Sequence, residues 1–287
     1  MYMNKGKKIR TVRRILLVVI AVCLLLLGRE YDQSRQQRIQ QESLRAKIHE
    51  DAADRTDEEG AAVTSFPFPK QRIEYRPGEN RLQAYGARGE EAEQVPVMLS
   101  KYVELYEENH DLAGWLSIED MAIDYPVMQC EDDEYYLHHD FYGKDSKYGC
   151  LYVREQANLD AGTNFVIYGH NMKDGSMFGD LDLYLKEDFF REHTRISFDT
   201  LYEERIYEIL AVFRSQVYNA EEDVFKYYQF YQADTQEEFD EFYRNIKELS
   251  LYDTGVEAQF GDTFLTLSTC AYHVKDGRLA VVAKRIA

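Results

Sequence analysis

Residues 262–286 read DTFLTLSTCAYHVKDGRLAVVAKRI, and their pattern decides the fold. From Thr263 to Thr269 the chain alternates, with Leu265 and Leu267 on one face and Phe264, Thr266, Ser268 and then Cys270 on the other. Period-two alternation of this kind predicts a half-buried strand. Leu279 to Ala283 is a second apolar run, and Asp276-Gly277 between the two is a turn signal. The simplest arrangement is an antiparallel pair in which Cys270 leaves one strand where Arg278 enters the next. A thiol and a guanidinium then share one end of a sheet, and a neighbouring cation favours the nucleophilic thiolate. A small core cysteine and a solvated strand-end arginine would produce the same pattern.

Upstream of this pair stands one long helix. Thr235 with Glu238 is a capping box, and Phe239, Phe242, Tyr243, Ile246 and Leu249 fall on one stripe before Asp253-Thr254-Gly255 ends it. Further back, the pattern predicts strands at 115–118, 123–128, 149–153, 164–168, 195–199 and 206–213, with short helices over 178–192. A first helix begins at Pro96, suited to a first turn, and stops at Asn109-His110-Asp111. About eight short strands, a helix at the start and one late insertion describe a mainly β chain folded as a barrel with helical additions.

Seven histidines are available, and His170 is the one placed for chemistry. It follows the apolar strand Asn164 to Tyr168 and Gly169, and precedes Asn171 and the Gly- and Ser-containing loop 173–176. A titratable ring at the mouth of a rigid strand is where functional side chains are commonly mounted. His138-His139-Asp140 has no supporting ligand pattern, because adjacent strand residues point to opposite faces. His273 lies in the turn after Cys270 and reads as solvated.

Composition bounds the rest. The net charge is −18, yet the first 14 residues carry six basic groups and no acid, leaving 28 basic against 52 acidic residues after them. That balance offers no footprint for nucleic acid. Ile15 to Leu27 is thirteen apolar residues without interruption, preceded by arginines and lacking a small-x-small cleavage site after Leu27. The expected organisation is a basic cytoplasmic segment at 1–11, a single-pass membrane anchor at 12–28, a polar stalk and Pro/Gly-containing linker at 29–94, and a domain at 95–287 outside a cell membrane. Cys130 and Cys150 are compatible with a bridge that leaves Cys270 free, and equally with two buried thiols.

Taken together, Leu112–Val127 (LAGWLSIEDMAIDYPV), Glu134–Leu137 (EYYL), Asn164–Asn171 (NFVIYGHN), Gly175–Gly179 (GSMFG), Thr266–Cys270 (TLSTC) and Gly277-Arg278 followed by Leu-Ala-Val-Val resemble the sortases, and among them class B. The resemblance runs in order from about Pro96 to Ile286. It implies an eight-stranded sortase-type β-barrel with an N-terminal helix and a long helix inserted before the last two strands. It also implies a membrane-anchored cysteine transpeptidase of Gram-positive bacteria, with no cofactor and no metal. Its partners are then secreted proteins bearing a C-terminal sorting motif, cleaved after Thr, and an acceptor amine from a peptidoglycan precursor (lipid II) or a pilin. The carried-over roles are Cys270 as nucleophile, His170 as general acid and then base, and Arg278 as the group that steadies substrate and oxyanion. Ser268, Tyr168, Leu137 and Asp133 are implied to line the substrate groove, Asp133 standing where many class B members have asparagine. A hydrolytic or pilin-polymerising thiol peptidase, or a tethered binding module with the same barrel, would carry the same residues.

Overall fold

The computed structural model describes residues 3–53 and 96–287 apart from His273. In chain order the helices are α1 (Met3–Ala53), α2 (Ser100–Glu108), α3 (Tyr135–His138), α4 (Glu187–Glu192) and α5 (Gln236–Leu249). The strands are β1 (Leu112–Ser117), β2 (Asp124–Met128), β3 (Leu151–Val153), β4 (Asn164–Tyr168), β5 (Arg195–Thr200), β6 (Ile206–Gln216), β7 (Phe264–Cys270) and β8 (Gly277–Arg285). Short 3₁₀ turns occupy Gly179–Leu185 and Tyr227–Gln229.

The antiparallel pair expected at the carboxyl end is β7 and β8, in register from Phe264↔Lys284 to Cys270↔Arg278. Asp276, at φ 55°, makes the left-handed turn that lets Gly277 start β8. The eight strands close into a barrel in the order β1-β2-β3-β4-β7-β8-β6-β5, which leaves no strand edge open. Two pairs are parallel, β2 with β3 and β4 with β7. Parallel neighbours need long crossovers, and the one from β4 to β7 contains β5, β6 and α5.

The half-buried strand predicted for 263–269 is corrected, because both faces of β7 are covered. Leu265 and Leu267 point into the barrel with Phe165, Ile167, Leu279 and Val281. Phe264 on the opposite face packs with Ala280, Val282 and Phe213 under Phe239, Phe242 and Ile246 of α5. Phe239 stacks on Phe264 at 5.4 Å between ring centroids, and Phe230 on Phe242 at 3.9 Å. The strand reads as amphipathic because Thr266 and Ser268 are polar, yet each is only 1% exposed, its hydroxyl bonded within the outer layer.

The capping box of α5 is formed as its sequence predicts: Glu238 N–H donates to Thr235 Oγ1 (3.3 Å), and Thr235 N–H to Glu238 Oε2 (3.1 Å). The first domain helix starts later than expected. Leu99 N–H donates to Leu201 O at 2.7 Å, and α2 begins only at Ser100.

The chain divides into two units, Met1–Glu50 and Asp51–Ala287. Helix α1 accounts for the first, and it overturns the expected anchor. Among the described residues no helix is long and apolar enough to cross a membrane. The thirteen apolar residues Ile15 to Leu27 rise about 20 Å as a helix, against a hydrocarbon layer of about 30 Å. Arg13 and Arg14 precede them, and Arg29 and Glu30 follow closely. The single-pass span at 12–28, and with it the membrane location and membrane partner read from sequence, is therefore corrected. The linker expected up to residue 94 lies outside the described residues from position 54 onward, as does His273.

The two kinds of support for the outer layer differ in size. Phe242→Ala removes a ring stacked on Phe230 and packed against Phe264, and is expected to cost about 3–5 kcal/mol in denaturant unfolding. Thr235→Ala removes only the cap and is expected to cost about 1 kcal/mol.

Candidate active site

The parallel ladder of β4 and β7 runs in register from Asn164↔Phe264 to Tyr168↔Ser268. His170 and Cys270 each lie two residues beyond that last pair, so they emerge at the same end of neighbouring strands. Arg278 is the direct cross-strand partner of Cys270 on β8, and directly opposed residues share a face. The backbone thus brings the three residues singled out in the sequence to one end of three adjacent strands, with Cys270 and Arg278 on the same face.

Side-chain bonds lock this end together. Gly169 N–H donates to Ser268 O (3.2 Å), and Thr269 Oγ1 donates back to Gly169 O (2.8 Å). Asn171 Nδ2 donates to the carbonyl of Cys270 itself (2.9 Å) and to Asp182 Oδ2 (3.2 Å). Gly169 has to be glycine for this approach, since a Cβ there would lie 2.4 Å from Leu151 and 2.7 Å from Phe178.

His170 is half-buried and held on one side. Its Nε2 lies 2.8 Å from Leu137 O. A carbonyl only accepts, so Nε2 carries a proton and Nδ1 is the nitrogen left to exchange one. Its own carbonyl accepts from Phe178 N–H at 2.9 Å. Arg278 donates from Nη1 to the carbonyls of Gly277 (3.0 Å) and Asp276 (3.3 Å), which fixes the fork; among the described residues its Nε and Nη2 have no acceptor.

The residues expected to line a groove are distributed unequally around these three. Ser268 Oγ is hydrogen-bonded to the hydroxyl of Tyr227 at 2.7 Å, both buried. Burial pushes the Tyr227 phenol up to about 12, against the opposing effects of that bond and of Arg278, so it stays protonated at neutral pH. Tyr168 stacks on Tyr152 at 5.5 Å. Leu137 meets the site through its carbonyl on His170. Asp133 lies further along, accepting from Glu155 N–H (2.8 Å) with its other oxygen 3.8 Å from Arg154 Nε.

The other thiols are free and differently placed. Cys130 donates to Asp132 O at 3.2 Å, and Cys150 is buried, its thiol pushed up by desolvation. No disulfide joins them. Among the described residues no group of His, Cys, Asp and Glu is arranged to hold a metal ion; His139 instead stacks on Tyr135 and bonds its carbonyl at 2.7 Å.

Sequence reading missed Asn171, Tyr227, Tyr152 and Arg154. Asn171 adjoins His170 and had a positional signal. Tyr227 had none, since its place beside Ser268 depends on a contact between residues 41 apart in sequence.

Comparison with known proteins agrees with this architecture. The sortase domain family model matches residues 116–286. The chain is 34% identical over 185 residues to sortase B of Listeria monocytogenes, covering 62% of this chain and 71% of that protein. It is 30% identical over 184 residues to sortase B of Staphylococcus aureus, with the same coverage. Among solved structures, sortase B from B. anthracis superposes with a TM-score of 0.59 at 33% identity, covering 66% of this chain and 85% of that one. With the matched segment spanning more than half of the chain and the barrel shared, the chain belongs to the sortase family, as a cysteine transpeptidase of its class B.

Proposed function

We propose that Cys270, His170 and Arg278 carry the transpeptidation, and that residues 95–287 form the catalytic domain behind a linker at 29–94. The substrate is a secreted protein with a sorting motif near its carboxyl terminus. Cys270 Sγ attacks the carbonyl carbon of the motif's Thr, forming a C–S bond as the C–N bond to the next residue breaks. His170 delivers a proton to the departing amine, and in the second half takes one from the incoming amine, which forms the new amide and releases the Cys270 thiolate. The acceptor is an amine of a peptidoglycan precursor. Arg278 opposes the negative charge of both tetrahedral intermediates from a fixed position.

The observation that carries this reading is the register of three neighbouring strands, β4 to β7 to β8, at whose common end the imidazole, thiol and guanidinium lie. A single imidazole suffices for both half-reactions because histidine changes charge near neutral pH. The bond from Asn171 to the Cys270 carbonyl supports the reading by tying the two strand ends together.

Incubation of the full chain with sorting-motif peptides and mass spectrometry tests the first half-reaction directly. A thioacyl adduct on Cys270 is expected, lost in Cys270→Ala and consumed when an amine acceptor is added; absence of an adduct with every motif tried would reject acyl transfer. Arg278→Lys keeps the charge but loses the planar fork, and a fall of about 10²–10³ in kcat/KM is expected. Wild-type rates in that variant would remove Arg278 from the mechanism.

Asn171→Asp probes the tie between the strands. It replaces a donor by a carboxylate facing the Cys270 carbonyl and Asp182, and should cost about 1–3 kcal/mol at pH 7. The repulsion raises the new carboxyl above its unfolded value, so the loss should shrink as pH falls and the group is protonated. Urea unfolding at pH 7 and pH 4.5 checks both the size and the sign.

A further inference from the structure

The backbone of the nucleophile is held at the point where the ladder between β4 and β7 runs out. Within a parallel ladder, alternate residues of one strand bond to the same neighbour. Ser268 O accepts from Gly169 N–H at 3.2 Å, so the next carbonyl on that edge is Cys270 O, and its ladder donor would be the backbone of residue 171. The side chain takes over there instead, with Asn171 Nδ2 donating to Cys270 O at 2.9 Å. On the other side of the same peptide group, Ala271 N–H donates to Gly277 O at 2.9 Å. The peptide plane that follows Cys270 is thus pinned at both ends, and one of the two pins is a side chain.

A side-chain pin is only as firm as its own orientation. The Asn171 amide has two N–H groups, and Nδ2 also lies 3.2 Å from Asp182 Oδ2. A carbonyl and a carboxylate both only accept, so together they hold the NH₂ edge of the amide between them. Asp182 is exposed, and Asn171 is the one group its carboxylate bonds among the described residues. The fold puts it there by turning the chain back on itself. Asn171 and Met177 form an isolated bridge, and Gly179 packs so closely on Met172 that a Cβ would lie 2.2 Å from Met172 O. Leu181, fully buried in the barrel core, then anchors the 3₁₀ turn that carries Asp182.

We propose that Asp182 is a positioning residue for the nucleophile: by accepting the second N–H of Asn171 it holds the amide that fixes the Cys270 carbonyl, and so the direction in which Cys270 presents its sulfur. The inference rests on the transpeptidase reading and adds to it a residue that touches neither the sulfur nor the substrate. Rotation of the peptide plane after Cys270 turns its Cα–Cβ bond, and a small misplacement of a reacting atom is costly to rate. A nucleophile whose backbone is fixed by supporting bonds meets the scissile carbonyl without first being ordered. The bond is made at an exposed carboxylate, so its removal is expected to slow the reaction about three- to tenfold rather than abolish it.

A double-mutant cycle in the full chain tests this, with Asp182→Ala, Asn171→Ala and the two combined, and with Asp182→Asn as the conservative variant. The growth of the Cys270 adduct with sorting-motif peptides is followed by mass spectrometry over a range of peptide concentrations. Asp182→Ala should lower the limiting rate about three- to tenfold and leave the half-saturating concentration within about twofold. Asp182→Asn keeps an oxygen that can accept from Asn171 and should stay within about twofold of the unsubstituted chain. In the Asn171→Ala background, adding Asp182→Ala should change the limiting rate by less than about twofold, since the bond is already gone. Alkylation of Cys270 by iodoacetamide, which approaches from any direction, should be alike in all of them, whereas a merely loosened fold would change it. Unsubstituted rates in Asp182→Ala, a loss of equal size with and without Asn171, a change in half-saturation alone, or an Asn variant as slow as the Ala variant would each overturn the proposal. The same cycle in urea unfolding needs no substrate. Coupling between Asp182 and Asn171 there, with no adduct on the unsubstituted chain, would reject the transpeptidase reading while the tie itself stands; no coupling in unfolding would reject the tie.

Discussion

The parallel ladder between β4 and β7 is the constraint on which the site depends. His170 and Cys270 are a hundred residues apart, and only the pairing of Tyr168 with Ser268 makes them neighbours. Shifting a strand by one residue sends every side chain to the opposite face, so a slip in this register would turn Cys270 into the barrel. The register is secured from both sides. Inside, Phe165 and Ile167 pack with Leu265 and Leu267. Outside, Asn164 accepts from Thr266 Oγ1 (2.9 Å) and donates to Phe230 O (2.8 Å), binding both strands to the outer layer.

That outer layer links packing to chemistry. Helix α5 and its neighbouring loop bury the far face of β7 under aromatic rings, and the same loop brings Tyr227 onto Ser268 and Tyr231 alongside β4. The layer is buried and paired at Ser268, whereas the buried hydroxyls of Tyr168 and Tyr231 have no hydrogen-bond partner among the described residues. A fully satisfied buried network rigidifies, whereas a partly satisfied one carries a cost that calls for compensation.

Much of the fold was legible because its signals are local. Strand alternation, the Thr235–Glu238 capping box, the Asp276-Gly277 turn and the pairing of Cys270 with Arg278 are set by residues close in sequence, and the structure has all of them. The family motifs carried His170 as well. The misreadings came from tertiary context. Polar Thr266 and Ser268 suggested a solvent-facing side, yet α5 covers it and their hydroxyls are bonded there. Pro96 suggested a helix start, yet the bond from Leu99 to Leu201 delays the helix to Ser100. The apolar run at 15–27 suggested a span that its length does not support. Arg154 and Tyr231 gave no signal at all, since an unpaired hydroxyl or a guanidinium over a ring is a property of packing rather than of spacing.

The claim that positions 170 and 270 meet at one strand end can be tested without any substrate. In the full chain with Cys23, Cys130 and Cys150 replaced by alanine, a second thiol is introduced by His170→Cys or, as a control at the far end of β4, by Asn164→Cys. A short thiol-bridging reagent and peptide mapping by mass spectrometry then report which thiol joins Cys270. Bridging from position 170 and none from position 164 is the predicted result. Bridging from 164 instead, or from neither under conditions that label both thiols singly, would contradict the register on which the site is built.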